Sequence, residues 1–236
     1  MSNIKVISEL NPKSPVAEAY RILRTNLQFS AVDKSLKTML VTSAGPGEGK
    51  STTTANLATV IAQAGANVIV VDCDLRRAVQ HTLFDLPNDR GLTNILVGGL
   101  EPEQVIQETK IPNLRVITSG PLPPNPAELL ASGKAKELWA KVAAMADMVI
   151  VDSPPVLTVA DATILSSVMD GVILVIKSAV TKIDALKQTK DRLDKASARI
   201  IGTVLNSVES SGGNYYYNNY YYYGERTKKE AAASKM

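Results

Sequence analysis

Short, almost continuously apolar runs alternate along the chain with segments whose apolar residues recur every three or four positions. The runs span residues 38–42, 67–71, 114–119, 148–151, 171–176 and 199–205. Their β-branched content and lack of polar alternation predict strands covered on both faces. Helical spacing lies between them, over residues 53–63, 126–146, 160–167 and 182–195. Regular alternation of strand and helix predicts a doubly wound, mainly parallel α/β sheet with helices on both faces. Ligands in such sheets sit beyond the C-terminal strand ends.

Two regions fall outside the alternation. A helix over residues 15–31 precedes the first strand, with Val16, Tyr20, Leu23 and Leu27 as its apolar stripe. After Val208 the periodicity stops, and Ser-Ser-Gly-Gly opens a segment that reads as disordered or loosely attached. The predicted organisation is therefore a helical segment over residues 1–36, a core domain over 37–208 and a flexible tail over 209–236. The stretch from Gly120 to Leu130 is Pro-rich. It reads as a loop entering a helix, with Asn125 as N-cap and Pro126 at the first helical position.

Composition narrows the picture without deciding it. An apolar content of 45 % in 236 residues is enough for a real core. A net charge of +3 implies no general affinity for nucleic acid. Cys73 is the single cysteine, which excludes an internal disulfide and agrees with a reducing cytoplasm. The N-terminus lacks the apolar core of a signal peptide. No stretch approaches the ~20 apolar residues needed to cross a bilayer. Membrane location would have to come from a partner.

The chemistry starts at Ala44–Thr52, AGPGEGKST, set between the first apolar run and a helical pattern. Strand, glycine loop and helix in that order define a phosphate-binding P-loop. Gly45, Gly47 and Gly49 let successive N–H groups turn toward phosphate oxygens, with Pro46, Glu48 and Thr52 completing the loop. Lys50 is placed for the β- and γ-phosphates, and the Ser51 hydroxyl for magnesium. Ala44 stands where the standard pattern has glycine, so the motif is a variant.

Two acidic motifs follow other strands. In VVDCDLRR, Asp72 and Asp74 stand two residues apart, so an extended backbone can aim both at one site. There they would position magnesium or accept a proton from a hydroxyl; the alternative is that they cap the next helix. Arg76 adds a donor for phosphate or carboxylate. In MVIVDSPPV, a strand ending at Asp152 reads as Walker B, whose aspartate holds magnesium. Asn206 closes the last run. Its amide offers adenine a donor and an acceptor, and a turn role fits nearly as well.

The ends carry two more features. Tyr215, Tyr216, Tyr217, Tyr220, Tyr221, Tyr222 and Tyr223 form a cluster too dense to pack residue by residue. Interleaved basic residues, needed for a nucleic-acid stacking surface, are missing inside it. Phosphate acceptance accounts best for so many hydroxyls; a low-complexity sticker is the other reading. In the N-terminal helix Glu18, Arg21 and Arg24 recur every three residues on one face. They form either a solvated charged face or a subunit contact.

Taken together these motifs resemble the bacterial tyrosine kinases (BY-kinases) of capsular and exopolysaccharide synthesis, over nearly the whole chain from Glu18 to the tail. The resemblance rests on the Walker A stretch VTSAGPGEGKST, the second acidic motif (Walker A′) and Walker B. Glu-x-x-Arg-x-x-Arg, PNPAELL and the tyrosine cluster complete it. It implies a P-loop NTPase-like fold binding ATP-Mg, with Lys50 on the phosphates and Ser51, Asp74 and Asp152 near magnesium. Asp72 and Asp74 would serve catalysis, one as base for a tyrosine hydroxyl. Subunits would form a ring through Glu18, Arg21 and Arg24, each tail being phosphorylated by a neighbour. The missing membrane span matches the split form, in which a membrane-anchored activator recruits a cytoplasmic kinase to the inner face of the membrane. A cognate phosphotyrosine phosphatase and other protein substrates are implied as well, and no nucleic acid. The rivals are a ParA/MinD-like ATPase and a nucleotide-gated assembly protein without kinase activity. The former carry an extra lysine where this chain has Gly45.

Overall fold

The computed structural model describes residues 6–30 and 36–208. Residues 6 to 206 of these belong to one compact unit built on a seven-stranded sheet. In chain order the strands are β1 (Thr38–Ser43), β2 (Val68–Asp72), β3 (Gln107–Glu108), β4 (Leu114–Ile117), β5 (Met148–Asp152), β6 (Gly171–Lys177) and β7 (Ile200–Asn206). Their spatial order is β3-β4-β2-β5-β1-β6-β7. Every neighbouring pair is parallel except β3 with β4.

The central apolar runs do face two cores, whereas β7, at the edge of the sheet, is only partly buried rather than covered on both faces. Met39, Val41, Val68, Val70 and Ile150 pack on one side of the sheet, with Leu57, Val60 and Ile61 of helix α3 (Lys50–Ala62). Leu40, Ile69, Val71, Val149 and Val151 pack on the other, against Leu138 and Trp139 of α7 (Gly133–Ala144) and Leu165 of α8 (Asp161–Ser166). Successive residues of a strand point to opposite faces, so a doubly covered strand must be apolar at every position. Helix α9 (Ile183–Lys195) adds Leu193 to the second core.

The helix expected over residues 126–146 is two helices, α6 (Pro126–Leu130) and α7. Ser132 makes the break. Its hydroxyl donates to the Leu129 carbonyl at 2.7 Å and accepts from the Ala135 N–H at 3.2 Å, ending one helix and capping the next. Pro126 does open α6. Asn125 precedes it, but its side chain caps nothing and donates to the Glu128 carboxylate at 2.6 Å instead.

Four short elements escape any periodicity signal: α1 (Ile7–Leu10), α4 (Gln80–Leu83), α5 (Leu92–Leu96) and β3. Each has five residues or fewer, too few to repeat a pattern. The fourth strand stops at Ile117 because the carbonyls of Thr118 and Ser119 accept from Leu92 and Thr93 at the start of α5.

The N-terminal helix α2 (Pro15–Ser30) lies on α3. Ala17 and Leu27 are its buried residues, Tyr20 and Leu23 pack at the core edge, and Val16 is half exposed. The stripe thus starts one residue later than Val16. Tyr215–Tyr223 and the rest of the predicted tail lie outside the described residues.

Candidate functional site

Strand register builds the site. Val41 of β1 pairs with Asp152 of β5, and Asp152 pairs with Asp72 of β2. Three neighbouring strands therefore end in one row. Their C-terminal ends deliver the P-loop, the Asp72 loop and the Asp152 loop to one corner. A cavity of about 330 Å³ opens there, lined among others by Pro46, Gly47, Gly49, Lys50, Ser51, Thr52 and Asp74.

The loop has the shape its glycines predict. Gly47 has φ of +72° and Gly49, the residue before α3, has φ of +95°. Left-handed backbone at both positions carries a cost for any residue with a Cβ. A Cβ on Gly49 would also stand 2.0 Å from the Asn206 amide nitrogen. α3 begins at Lys50, inside the motif, so its free N–H groups and dipole face the cavity. Glu48 turns back on the loop, its carboxylate accepting from the N–H groups of Ala44 at 3.3 Å and Gly45 at 3.2 Å.

Lys50 sits at the centre of charge. Its ammonium donates to Asp74 at 2.9 Å and to the Ser51 hydroxyl at 3.3 Å, and lies 3.9 Å from Asp152. Burial alone would lower its pKa, but Asp152 and Asp74 outweigh burial and hold it above the ordinary lysine value. Burial pushes the Asp152 carboxyl up, with Lys50 pulling against it.

The paired aspartates of the second motif differ in setting. Asp72 is fully enclosed. One oxygen accepts from the Asp74 N–H at 3.2 Å, the other from the N–H groups of Val79 at 3.0 Å and Gln80 at 2.9 Å. Burial and the neighbouring Asp152 raise its pKa to about 8, against those hydrogen bonds. Asp74 lines the cavity and faces Lys50. The capping alternative thus describes Asp72 most fully, through three donors, while Asp74 holds the same turn by one, the Arg77 N–H at 3.0 Å, besides facing Lys50.

Two other predicted residues face elsewhere in this structure. Arg76 pairs with the enclosed carboxylate of Asp161 at 3.4 Å, while Arg77 lines the cavity. The Asn206 amide donates to the Glu48 carbonyl at 3.0 Å, supporting the P-loop from β7. On α2, Glu18 and Arg21 pair at 2.8 Å on the surface, and Arg24 donates to the Val60 carbonyl of α3 at 3.0 Å.

Sequence reasoning passed over Gln80, Arg77 and Asp161. Gln80 is completely buried, and its side-chain NH₂ donates to Asp152 at 2.8 Å and to the Ser51 carbonyl at 3.1 Å. The available signal was position alone: all three follow a motif strand within ten residues.

The donors fit a nucleotide with a magnesium ion. One Asp152 oxygen is buried without a hydrogen bond among the described residues, close to the Ser51 hydroxyl. The described residues contain no cage of three or more His, Cys, Asp or Glu. Magnesium needs none, since it keeps several waters and takes phosphate oxygens with one or two protein ligands.

Such a loop on a parallel sheet defines a P-loop nucleotide-binding protein, and residues 36–204 match the AAA domain family AAA_31. The chain is 47 % identical over 206 residues to tyrosine-protein kinase YwqD of Bacillus subtilis, covering 87 % of each protein. It is 38 % identical over 197 residues to the putative tyrosine-protein kinase CapB of Staphylococcus aureus, 84 % of this chain and 86 % of that one. The kinase domain of the Escherichia coli tyrosine kinase ETK superposes with a TM-score of 0.85 at 35 % identity, over 92 % of this chain and 85 % of the other. The chain belongs to the bacterial tyrosine-protein kinases. It is a protein-tyrosine kinase with a P-loop nucleotide site. Among the described residues no helix is long and apolar enough to cross a membrane.

Proposed function

We propose that this kinase transfers the γ-phosphoryl group of ATP, bound with Mg²⁺, to tyrosines of its own C-terminal cluster on a neighbouring subunit. The observation that carries the reading is Lys50 held between Asp74 and Asp152 at the mouth of a left-handed glycine loop. When bound, Mg-ATP supplies the phosphoryl group and the charge that the metal neutralises. Lys50 then turns from Asp74 to the phosphates, and the loop N–H groups and the start of α3 hold them. Ser51 and Asp152 would hold the metal, with Asp74, which lines the same cavity, nearby. Asp74, released by Lys50 and open to the cavity, accepts the proton of the attacking tyrosine hydroxyl. Asp72 holds the loop that carries Asp74. Arg77 lines the cavity and gives that loop a donor toward an incoming phosphate, and Arg76 would add a second on leaving Asp161.

Glu18, Arg21 and Arg24 form the contact that closes subunits into a ring, where a tail reaches a neighbour's site. Support comes from Glu18 and Arg21, which pair on the surface of α2, while Arg24 would have to leave the Val60 carbonyl to join them. The motif resemblance to the kinases of capsular and exopolysaccharide synthesis supports a role in regulating polysaccharide synthesis and export. A membrane-anchored activator, acting on the cytoplasmic side, fits a chain whose described helices are too short or too polar to span a bilayer. A cognate phosphatase would reset the tail.

The test is to incubate purified protein with Mg-ATP, with and without the activator's cytoplasmic segment, and locate phosphotyrosine by mass spectrometry. Phosphate on Tyr215–Tyr223, abolished by mixing only Lys50→Met subunits, is expected. Absence of phosphotyrosine in both arms would refute the reading.

A further inference from the structure

Gln80 joins all three motif loops, which is more than a buried glutamine needs for packing. Its side-chain NH₂ donates to the Ser51 carbonyl of the P-loop at 3.1 Å and to Asp152 at 2.8 Å. Its backbone N–H donates to Asp72 at 2.9 Å. Both side-chain partners are acceptors, so the amide orientation is forced: nitrogen toward them, oxygen away. That oxygen, Oε1, is buried and accepts nothing among the described residues. The second oxygen of Asp152 accepts no hydrogen bond among the described residues and lies 3.9 Å from the Lys50 ammonium. A buried acceptor left without a donor is costly, and this Asp152 oxygen keeps only the 3.9 Å approach of Lys50, which leaves it open to a further partner. A hydrated divalent cation is such a partner, because the carboxylate oxygen can ligate it directly while the ion keeps most of its waters.

We propose that Gln80 is the positioning residue of the magnesium site. Its NH₂ locks one oxygen of Asp152 and so aims the other at the metal. The proposal rests on the Mg-nucleotide reading above. Because the same amide holds the Ser51 carbonyl, one side chain keeps the two protein ligands in mutual register. Partners of this outer kind orient ligands rather than bind metal, and their loss weakens metal affinity without emptying the site.

The test measures ADP affinity in full-length protein by calorimetry, in EDTA and across a Mg²⁺ titration, and Mn²⁺ affinity with ADP by electron paramagnetic resonance. The parent is compared with Gln80→Met, which keeps size but removes both polar groups, and Gln80→Glu, which keeps an oxygen but loses the donor. Expected is a metal affinity weakened roughly tenfold or more in both variants, with metal-free ADP affinity close to the parent's. Should Gln80→Met fail to fold, Gln80→Glu decides. Parent-like metal dependence in a folded variant overturns the proposal, and so does equal loss of metal-free and metal-dependent ADP binding, which means general structural damage. A parent whose ADP affinity ignores Mg²⁺ overturns the Mg-nucleotide reading itself and the proposal with it.

Discussion

Replacing Lys50 by Met removes the one charge that both Asp74 and Asp152 lean on, and it should change stability in a pH-dependent way. At an effective dielectric of about 20, a cation 2.9 Å from one carboxylate and 3.9 Å from another contributes about 6 and about 4 kcal/mol of gross attraction. Desolvation cancels much of this. The net cost of stripping the partner from buried charges is about 3–5 kcal/mol. For a domain of this size that is roughly 6 to 20 °C in Tm.

The cost is not constant. Without Lys50, nothing offsets the burial that already raises Asp152, so its folded-state pKa climbs further. Asp72, raised to about 8, moves the same way. A carboxyl raised above its unfolded value favours the folded chain at low pH and loses that advantage as pH rises through the folded value. Lys50 itself is raised, so in the parent it stays charged throughout this window. Parent and Lys50→Met should therefore melt at similar temperatures near pH 5 and diverge steadily toward pH 9. Differential scanning fluorimetry without nucleotide or metal, in buffers matched for ionic strength, reads this directly. A difference that is flat with pH, or that shrinks as pH rises, refutes the electrostatic account of the corner. Phosphoryl transfer by the same variant should be lost at every pH, because the phosphates lose their cation.

Other outcomes follow from single contacts. Asp74→Asn should lower phosphoryl transfer by about 10²- to 10⁴-fold and also lower Tm, because it strips the buried Lys50 ammonium of its nearer partner; a parent-like rate would remove Asp74 as the base. Asp72→Ala strands three backbone donors and should lower stability by about 1–3 kcal/mol for each one left without water; an unchanged Tm would show that the turn holds without it. Gly49→Ala combines left-handed strain of about 1–2 kcal/mol with a collision at Asn206, so ADP binding by calorimetry should fall below detection, and parent-like affinity would contradict the loop geometry. Changing Glu18, Arg21 and Arg24 together to Ala should give a monomer by light scattering that still binds ADP. It should cost about 1 kcal/mol through the lost Arg24–Val60 bond. A parent that stays monomeric with Mg-ATP and activator sinks the ring. Replacing Tyr215–Tyr223 by Phe should abolish autophosphorylation and keep the assembly at full size under ATP, since adjacent phosphates repel one another and the carboxylates of the site.

What could be read from the chain alone was whatever depends on neighbours in sequence. Doubly covered strands have to be apolar throughout, so the runs at 38–42, 67–71 and 148–151 announced a buried parallel sheet. Gly47, Gly49, Lys50 and Ser51 lie within five residues because one turn of backbone must face one phosphate chain, and no tertiary knowledge is needed to see it. The helix break at Ser132 escaped because a serine inside a helical pattern caps only when the chain turns there. Register was decided in three dimensions. Asp72 and Asp152 are eighty residues apart in sequence and become neighbours only because β2 pairs with β5. That pairing also splits the roles of two aspartates that look alike in VVDCDLRR: one is enclosed by backbone donors and the other faces Lys50. Gln80 carries no motif at all. Its importance arises from where α4 begins relative to two other strand ends, and such long-range geometry leaves no periodic trace in a sequence.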